Sequence, residues 1–144
     1  NINTELMFSS KTDKWATPQD FYNKLNEEFH FTLDPCADEF NHKCDTYFTK
    51  EQDGLKQDWA GHIVFCNPPD GNKETGWWTQ KCWEEAQKPD TTVVLLIPAR
   101  TDRKSFHKYI YNQPNVEIRF VQGRLKFGDS KDPAPFPSMV VVFR

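Results

Sequence analysis

Long apolar runs are missing from this chain. None approaches the roughly 20 residues that cross a bilayer, and the polar start over Asn1–Lys14 has no signal-peptide core. A membrane protein is therefore not expected, and the chain reads as soluble and cytoplasmic. Glycine is scarce, six residues against ten prolines in 144, which excludes collagen-like and low-complexity classes. Cys36, Cys44, Cys66 and Cys82 show no C-x-x-C spacing, and Cys36, His42 and Cys44 lack an evident fourth ligand. Neither a disulfide framework nor a metal site is expected, and the thiols read as buried and reduced. Arginine is absent before Arg100: residues 1–90 carry nine lysines against 17 acids, whereas residues 91–144 carry nine basic groups against four acids. The net charge of −3 thus hides an acidic half and a basic half, and the basic half offers a local face for phosphate.

What is present is enough for one core. Aromatic residues make up 15% of the chain, and its length fits a single domain. Residues 1–14 are expected to be a flexible N-terminal segment and residues 15–144 one domain without a separate target-recognition domain. Phe21, Leu25 and Phe29 recur every four residues after Thr17-Pro18, predicting a helix over 17–29 with Thr17 as its cap. Phe31–Asp34 reads as a short strand stopped by Pro35, and Thr46–Thr49 as a weaker one. His62–Cys66 predicts an apolar strand that ends at Asn67-Pro68-Pro69, followed by a helix over Trp77–Lys88. Thr91–Ile97 is an unbroken apolar run, as befits a central strand covered on both faces. A helix from Thr101 to Asn112 and strands at Val116–Val121, Gly123–Phe127 and Ser138–Phe143 complete the pattern. Strands alternating with helices and finishing in adjacent strands predict an α/β fold, a mainly parallel sheet with an antiparallel C-terminal edge.

In open α/β sheets, ligands sit beyond the carboxyl ends of strands. Three strand ends are unusual here: Asp34-Pro-Cys-Ala-Asp38, Asn67-Pro-Pro-Asp70 and Pro98-Ala-Arg-Thr101. In the second, two prolines fix the backbone, so that the Asn67 side-chain oxygen and the Pro68 carbonyl converge on one small space. That space suits a planar amino group. An NH2 attached to a π system is a poor nucleophile because its lone pair is delocalised, and accepting both of its hydrogens returns density to nitrogen. The nitrogen can then attack a methyl cation equivalent, with no ionised general base required. The same tripeptide also serves elsewhere as a plain rigid turn.

The order and spacing of Trp15-Ala-Thr-Pro18, Leu33-Asp-Pro-Cys-Ala37, Asp53-Gly-Leu55, Asp58-Trp59, Phe65-Cys-Asn-Pro-Pro69, Leu96-Ile-Pro-Ala-Arg-Thr-Asp102, Phe106-His107, Gly123-Arg-Leu-Lys-Phe-Gly128 and Ala134-Pro-Phe-Pro-Ser138 resemble the phage-encoded DNA N6-adenine methyltransferases of the Dam type. The resemblance covers most of the chain. It implies a Rossmann-like class I methyltransferase that binds S-adenosylmethionine at the ends of its first strands and works in the host cytoplasm. It places Asp34, Pro35, Cys36 and Ala37 beside the cofactor's methionine moiety, Trp15, Thr17 and Pro18 in the segment that closes over it, and Asp58 and Trp59 at the cofactor's adenine. Asn67, Pro68 and Pro69 become the catalytic turn. The acidic first half suits a cationic sulfonium.

One position departs from the family pattern. Asp70 stands where an aromatic ring normally stacks on the adenine extruded from the duplex. The alternatives are that Trp77, Trp78 or another ring supplies the stacking, that Asp70 hydrogen-bonds an amino group, or that the protein is a silent relative acting by binding DNA, cofactor or a host protein. The turn also suits a glutamine amide or a cytosine amino group. DNA is the expected partner, held by Arg100, Arg103, Lys104, Arg124 and Lys126, with sequence choice left to loops such as Gly71–Gly76 and Gly128–Pro137. The oligomeric state is not legible.

Overall fold

The computed structural model describes residues 16–71, 73–128 and 130–144; Trp15 and the expected flexible segment at 1–14 lie outside them. The strands are β1 (Leu33–Asp34), β2 (Thr46–Tyr47), β3 (Ile63–Cys66), β4 (Thr92–Pro98), β5 (Val116–Phe120) and β6 (Ser138–Phe143), and the helices are α1 (Gln19–Phe29) and α2 (Glu74–Glu85). A 3-10 turn covers Gly54–Lys56 and a π-helical turn covers Phe106–Ile110. Six strands form one sheet in the order β2-β1-β3-β4-β6-β5. Pairings on the β2 side of β4 are parallel, while β6 is antiparallel to both β4 and β5. This is the Rossmann-like α/β arrangement with the antiparallel edge that the sequence pattern predicts. No helix among the described residues is long and apolar enough to cross a membrane.

Strand alternation divides the core into two layers. Val93, Leu95 and Ile97 of β4 face the side covered by α2 and the π-helical turn, where Trp78, Cys82, Phe106 and Ile110 join them. Val94 and Leu96 face the side covered by α1, against Tyr22, Leu25 and Phe29. Successive side chains of a strand point to opposite faces, so an unbroken apolar run is what a strand covered on both faces requires. In α1 the buried stripe is Tyr22, Leu25 and Phe29, with Phe21 only half-buried. The helix ends at His30, whose left-handed backbone (φ 59°) lets its N–H bond Asn26 O at 2.9 Å.

Several expected boundaries move. The helix predicted from Thr17 begins at Gln19 behind Pro18, and no side chain caps it; the Thr17 hydroxyl is engaged elsewhere. The helix predicted over 77–88 spans 74–85, with Gly76 inside its first turn and the Thr79 hydroxyl donating to Thr75 O at 2.7 Å. The helix predicted over 101–112 shrinks to a short stretch around the π-helical turn, closed by Tyr111 N–H on Phe106 O at 2.8 Å. Gly123–Phe127 is not a strand. Gly123 has a φ of 77°, and the segment bonds singly to other loops: Ala134 N–H to Leu125 O at 2.8 Å, and Gly128 N–H to Ala16 O at 2.8 Å.

The connection from the 3-10 turn to β3 is held by Trp59, which is fully buried. Its indole N–H donates to Gly54 O at 3.0 Å, its ring stacks on Trp78 at a centroid distance of 6.2 Å, and its backbone N–H donates to Glu85 Oε1 at 2.6 Å. Glu85 is itself buried and meets Lys81 at 3.2 Å and Lys88 at 2.8 Å. Burial pushes its carboxyl up, but Lys88, the Trp59 amide and Lys81 outweigh this and hold it below the usual range. Replacing Glu85 by Ala strands that amide, while Lys88 keeps Asp58 and Lys81 keeps Gln57 O at 2.6 Å, and is expected to cost about 1–3 kcal/mol in urea denaturation. A depressed carboxyl contributes fully above its unfolded pKa and loses its contribution as pH falls through the folded one. Urea denaturation at a series of pH values below neutral is therefore expected to show a steeper stability loss on acidification for wild type than for Glu85→Gln.

Candidate active site

The chain leaves β1 toward one side of the sheet to form β2 and then crosses to the other side to form β3. Such a reversal opens a crevice past the carboxyl ends of the two strands. Because β5 pairs antiparallel with β6, and β6 with β4, β5 runs with β4. The loops leaving β1, β3, β4 and β5 therefore emerge at one edge, together with the segment that enters β6.

At the end of β1, the buried Asp34 carboxylate turns back on its own loop, accepting the Cys36 N–H at 3.1 Å and the Lys43 N–H at 2.9 Å. Burial pushes this carboxyl up from its ordinary value, against the pull of the two amides. The loop is closed on its other side by Ala37 N–H on Phe48 O and Phe48 N–H on Asp34 O, both at 3.0 Å. Pro35 abuts Gly54, where any Cβ would collide with the Pro35 carbonyl oxygen. Cys36 Sγ lies 3.6 Å from Cys66 Sγ, bridging the exits of β1 and β3. Burial pushes both thiols up, so they stay protonated. All four cysteines are free, as expected, although Cys36 is only partly buried.

At the end of β3, the Asn67 side-chain N–H donates to the Thr17 hydroxyl at 2.8 Å. Thr17 is 4% exposed, so this bond is shielded from competing water. It fixes the amide so that Oδ1 takes the position opposite the Thr17 side. Pro68 is buried behind it and Pro69 is exposed. An open cleft beside the turn is lined by Asn67, Pro68, Asp70, Ile97, Phe127 and Phe136. Asp70 does not stand alone: Arg100 donates to it through both terminal nitrogens, at 2.7 and 3.2 Å, and the guanidinium lies over the Phe136 ring, 5.5 Å from its centroid.

Asp58 and Trp59, expected at the cofactor's adenine, lie apart from this group. They precede β3 and so lie at the opposite end of that strand from Asn67. Asp58 is an exposed partner of Lys88 at 2.9 Å, and Trp59 is core. Asp53, next to Gly54 and so beside Pro35, has a left-handed backbone (φ 57°), its carboxylate accepting the Leu55 N–H at 3.1 Å. Its sequence signal was the Asp53-Gly54 turn. Trp78 is spent in the core, whereas Phe127 and Phe136 supply rings to the cleft. Pro18 stands between Thr17 and α1.

Among the basic candidates, Arg100, Arg103 and Lys104 follow β4, and Arg124 and Lys126 follow β5, all on the crevice edge. Lys104 and Lys126 are exposed, and Arg124 reaches Ala134 O at 3.3 Å. Arg119, by contrast, is held by Glu28 and Glu117 and ties β5 to α1. The charge split follows the sheet: the acidic half builds β2, β1 and β3, and the basic half builds β4, β6 and β5.

Comparison with known proteins places this arrangement. Residues 4–144 match the model of the family described as DNA N-6-adenine-methyltransferase (Dam). The chain is 29% identical over 141 residues to the "DNA N-6-adenine-methyltransferase" of Haemophilus phage HP1 (strain HP1c1), covering 93% of this chain and 80% of that protein. It is 36% identical over 64 residues to "Putative methyltransferase YfdM" of Escherichia coli (strain K12), covering 40% of this chain and 70% of that protein.

The Asp34 clamp predicts its own test. Asp34→Asn sets a side-chain N–H against one of the two backbone N–H groups, and is expected to cost about 1–3 kcal/mol. Hydrogen exchange is expected to speed up selectively at the amides of Cys36 and Lys43.

Proposed function

The chain belongs to the DNA N-6-adenine-methyltransferase (Dam) family and is by that membership a DNA adenine methyltransferase, and we propose that it draws the methyl group from S-adenosylmethionine and delivers it at the Asn67-Pro68-Pro69 turn. The observation that carries this reading is the Thr17–Asn67 bond. An asparagine amide can face either way, and here its N–H side donates to Thr17, which turns Oδ1 to the opposite side, the orientation that accepting an amino group requires. Asn67 Oδ1 and the Pro68 carbonyl take the two hydrogens of adenine N6, return lone-pair density to that nitrogen, and hold it in line for attack. The proton lost from N6 passes to solvent.

The residues at the crevice fit the methyl donor. A cationic sulfonium suits the acidic side of the sheet, where Asp53 and the loop Pro35–Ala37 flank the switch point. When bound, S-adenosylmethionine supplies an activated methyl carbon, and the role of this chain is to hold that carbon against N6. Pro35, Cys36 and Ala37 form the floor beside it, Asp34 braces that floor from within, and Thr17-Pro18 covers it from the α1 side. Arg103, Lys104, Arg124 and Lys126 hold the DNA backbone on the basic side of the same edge.

A second reading, occupancy of DNA or a host protein without turnover, is favoured by Asp70 alone. Transfer of labelled methyl groups from S-adenosylmethionine to unmethylated duplex DNA, with the modified nucleoside identified by mass spectrometry, separates the two. N6-methyladenine is the expected product, and saturable donor binding without transfer would establish the silent reading instead. Asn67→Ala is expected to lower kcat about 100-fold, in the range of losing one oriented polar contact to a transition state. Thr17→Val, which removes only the hydroxyl, is expected to lower kcat about tenfold with little change in the KM for DNA, since it frees the amide to rotate without removing it.

A further inference from the structure

We propose that the flipped adenine is stacked by the guanidinium of Arg100, held flat for that purpose by Asp70; this rests on the methyl-transfer reading above. The family pattern puts an aromatic ring directly after Asn-Pro-Pro, and a carboxylate at that position offers no π face. In this chain Asp70 grips Arg100 through two nitrogens, at 2.7 and 3.2 Å. A two-point contact of this kind lies in the plane of the guanidinium and fixes that plane. The Phe136 ring backs the group at 5.5 Å. One third of the Arg100 side chain remains exposed, beside the cleft that Asn67, Pro68 and Phe136 line.

The result is a planar, delocalised cation whose edge is held by Asp70, whose one face is backed by Phe136, and whose side chain is partly open to solvent. Guanidinium planes stack on unpaired bases as aromatic rings do. Its partner carboxylate cancels its net charge, which removes the reason for Arg100 to seek a phosphate and the repulsion a lone Asp70 would exert on the DNA backbone. Asp70 is thus a positioning residue, and Arg100 the group that meets the base. This assignment departs from the expectation that Arg100 is a phosphate contact, and the two make opposite predictions.

The test uses the full chain, unmethylated duplex DNA and S-adenosylmethionine, with N6-methyladenine quantified by mass spectrometry and urea denaturation confirming that each variant is folded. Arg100→Ala and Arg100→Lys are both expected to lower kcat about 10- to 100-fold, because an ammonium carries the charge but not the plane. The salt slope of DNA binding is expected to be unchanged in Arg100→Lys, which keeps a cation beside Asp70, and in the variant that combines Asp70→Tyr with Arg100→Ala, which removes both charges of the pair. Asp70→Tyr combined with Arg100→Ala is expected to recover to within about threefold of the parent, a ring replacing the guanidinium, while Asp70→Tyr alone gains no more than that factor. The proposal is overturned if Arg100→Lys retains parental activity, if the charge-balanced double variant shallows the salt slope by about one unit as loss of a phosphate contact does, or if the double variant stays as inactive as Arg100→Ala. Absence of N6-methyladenine from the parent despite donor binding would overturn the methyl-transfer reading itself, and this assignment with it.

Discussion

The antiparallel entry of β6 between β4 and β5 is the constraint from which the site's layout follows. Had β5 paired directly with β4 in the opposite direction, the segment 121–137 would emerge at the far end of the sheet. Because β6 returns between them, β5 runs with β4, and the segment carrying Arg124, Lys126, Phe127 and Phe136 opens beside Asn67. All six residues of β6 are buried, so this placement is paid for by the core and not by the site. Polar and aromatic groups at the edge are left free to vary in identity while their positions are held.

Legibility in the sequence followed the range of the interaction. Strands β3, β4 and β6 were readable because burial on both faces imposes an unbroken apolar run, a local signature of a global fact. The Asn67 turn was readable because two prolines restrict the backbone without outside help. Thr17 was read as a helix cap from its neighbours alone; its actual partner lies 50 residues away, and nothing local distinguishes the two uses of a hydroxyl. Asp58 and Trp59 lie away from Asn67 for a related reason. Acid-plus-aromatic resembles a ligand motif, but which end of β3 the pair occupies is decided by the descent of the chain along α2, where Lys81, Glu85 and Lys88 receive it. The strand expected at Gly123–Phe127 has the right composition, but β5 is already an edge and the segment finds only isolated partners.

Charge distribution and topology agree in a way composition alone conceals. An overall charge of −3 gives no hint of a nucleic-acid ligand, yet the sheet order places the arginine-rich half on one side of Asn67 and the acidic half on the other. A cation and a polyanion can then approach the same turn from opposite sides without either passing through the unfavourable field. Asp70 fits the same logic, as an acid of the β3 loop whose charge is met by an arginine from the basic half.

The lengths of the strands divide the sheet mechanically. β1 and β2 have two residues each, whereas β4 has seven and β6 six. A sheet margin secured by so few ladder bonds opens locally at a fraction of the global unfolding free energy. The β2–β1 side is thus the soft half and β4–β6 the stiff one. Any ligand that seats on the soft half closes it as a cooperative unit and raises its protection by mass action. Ligand occupancy and local order are expected to be a single equilibrium on that side of the molecule.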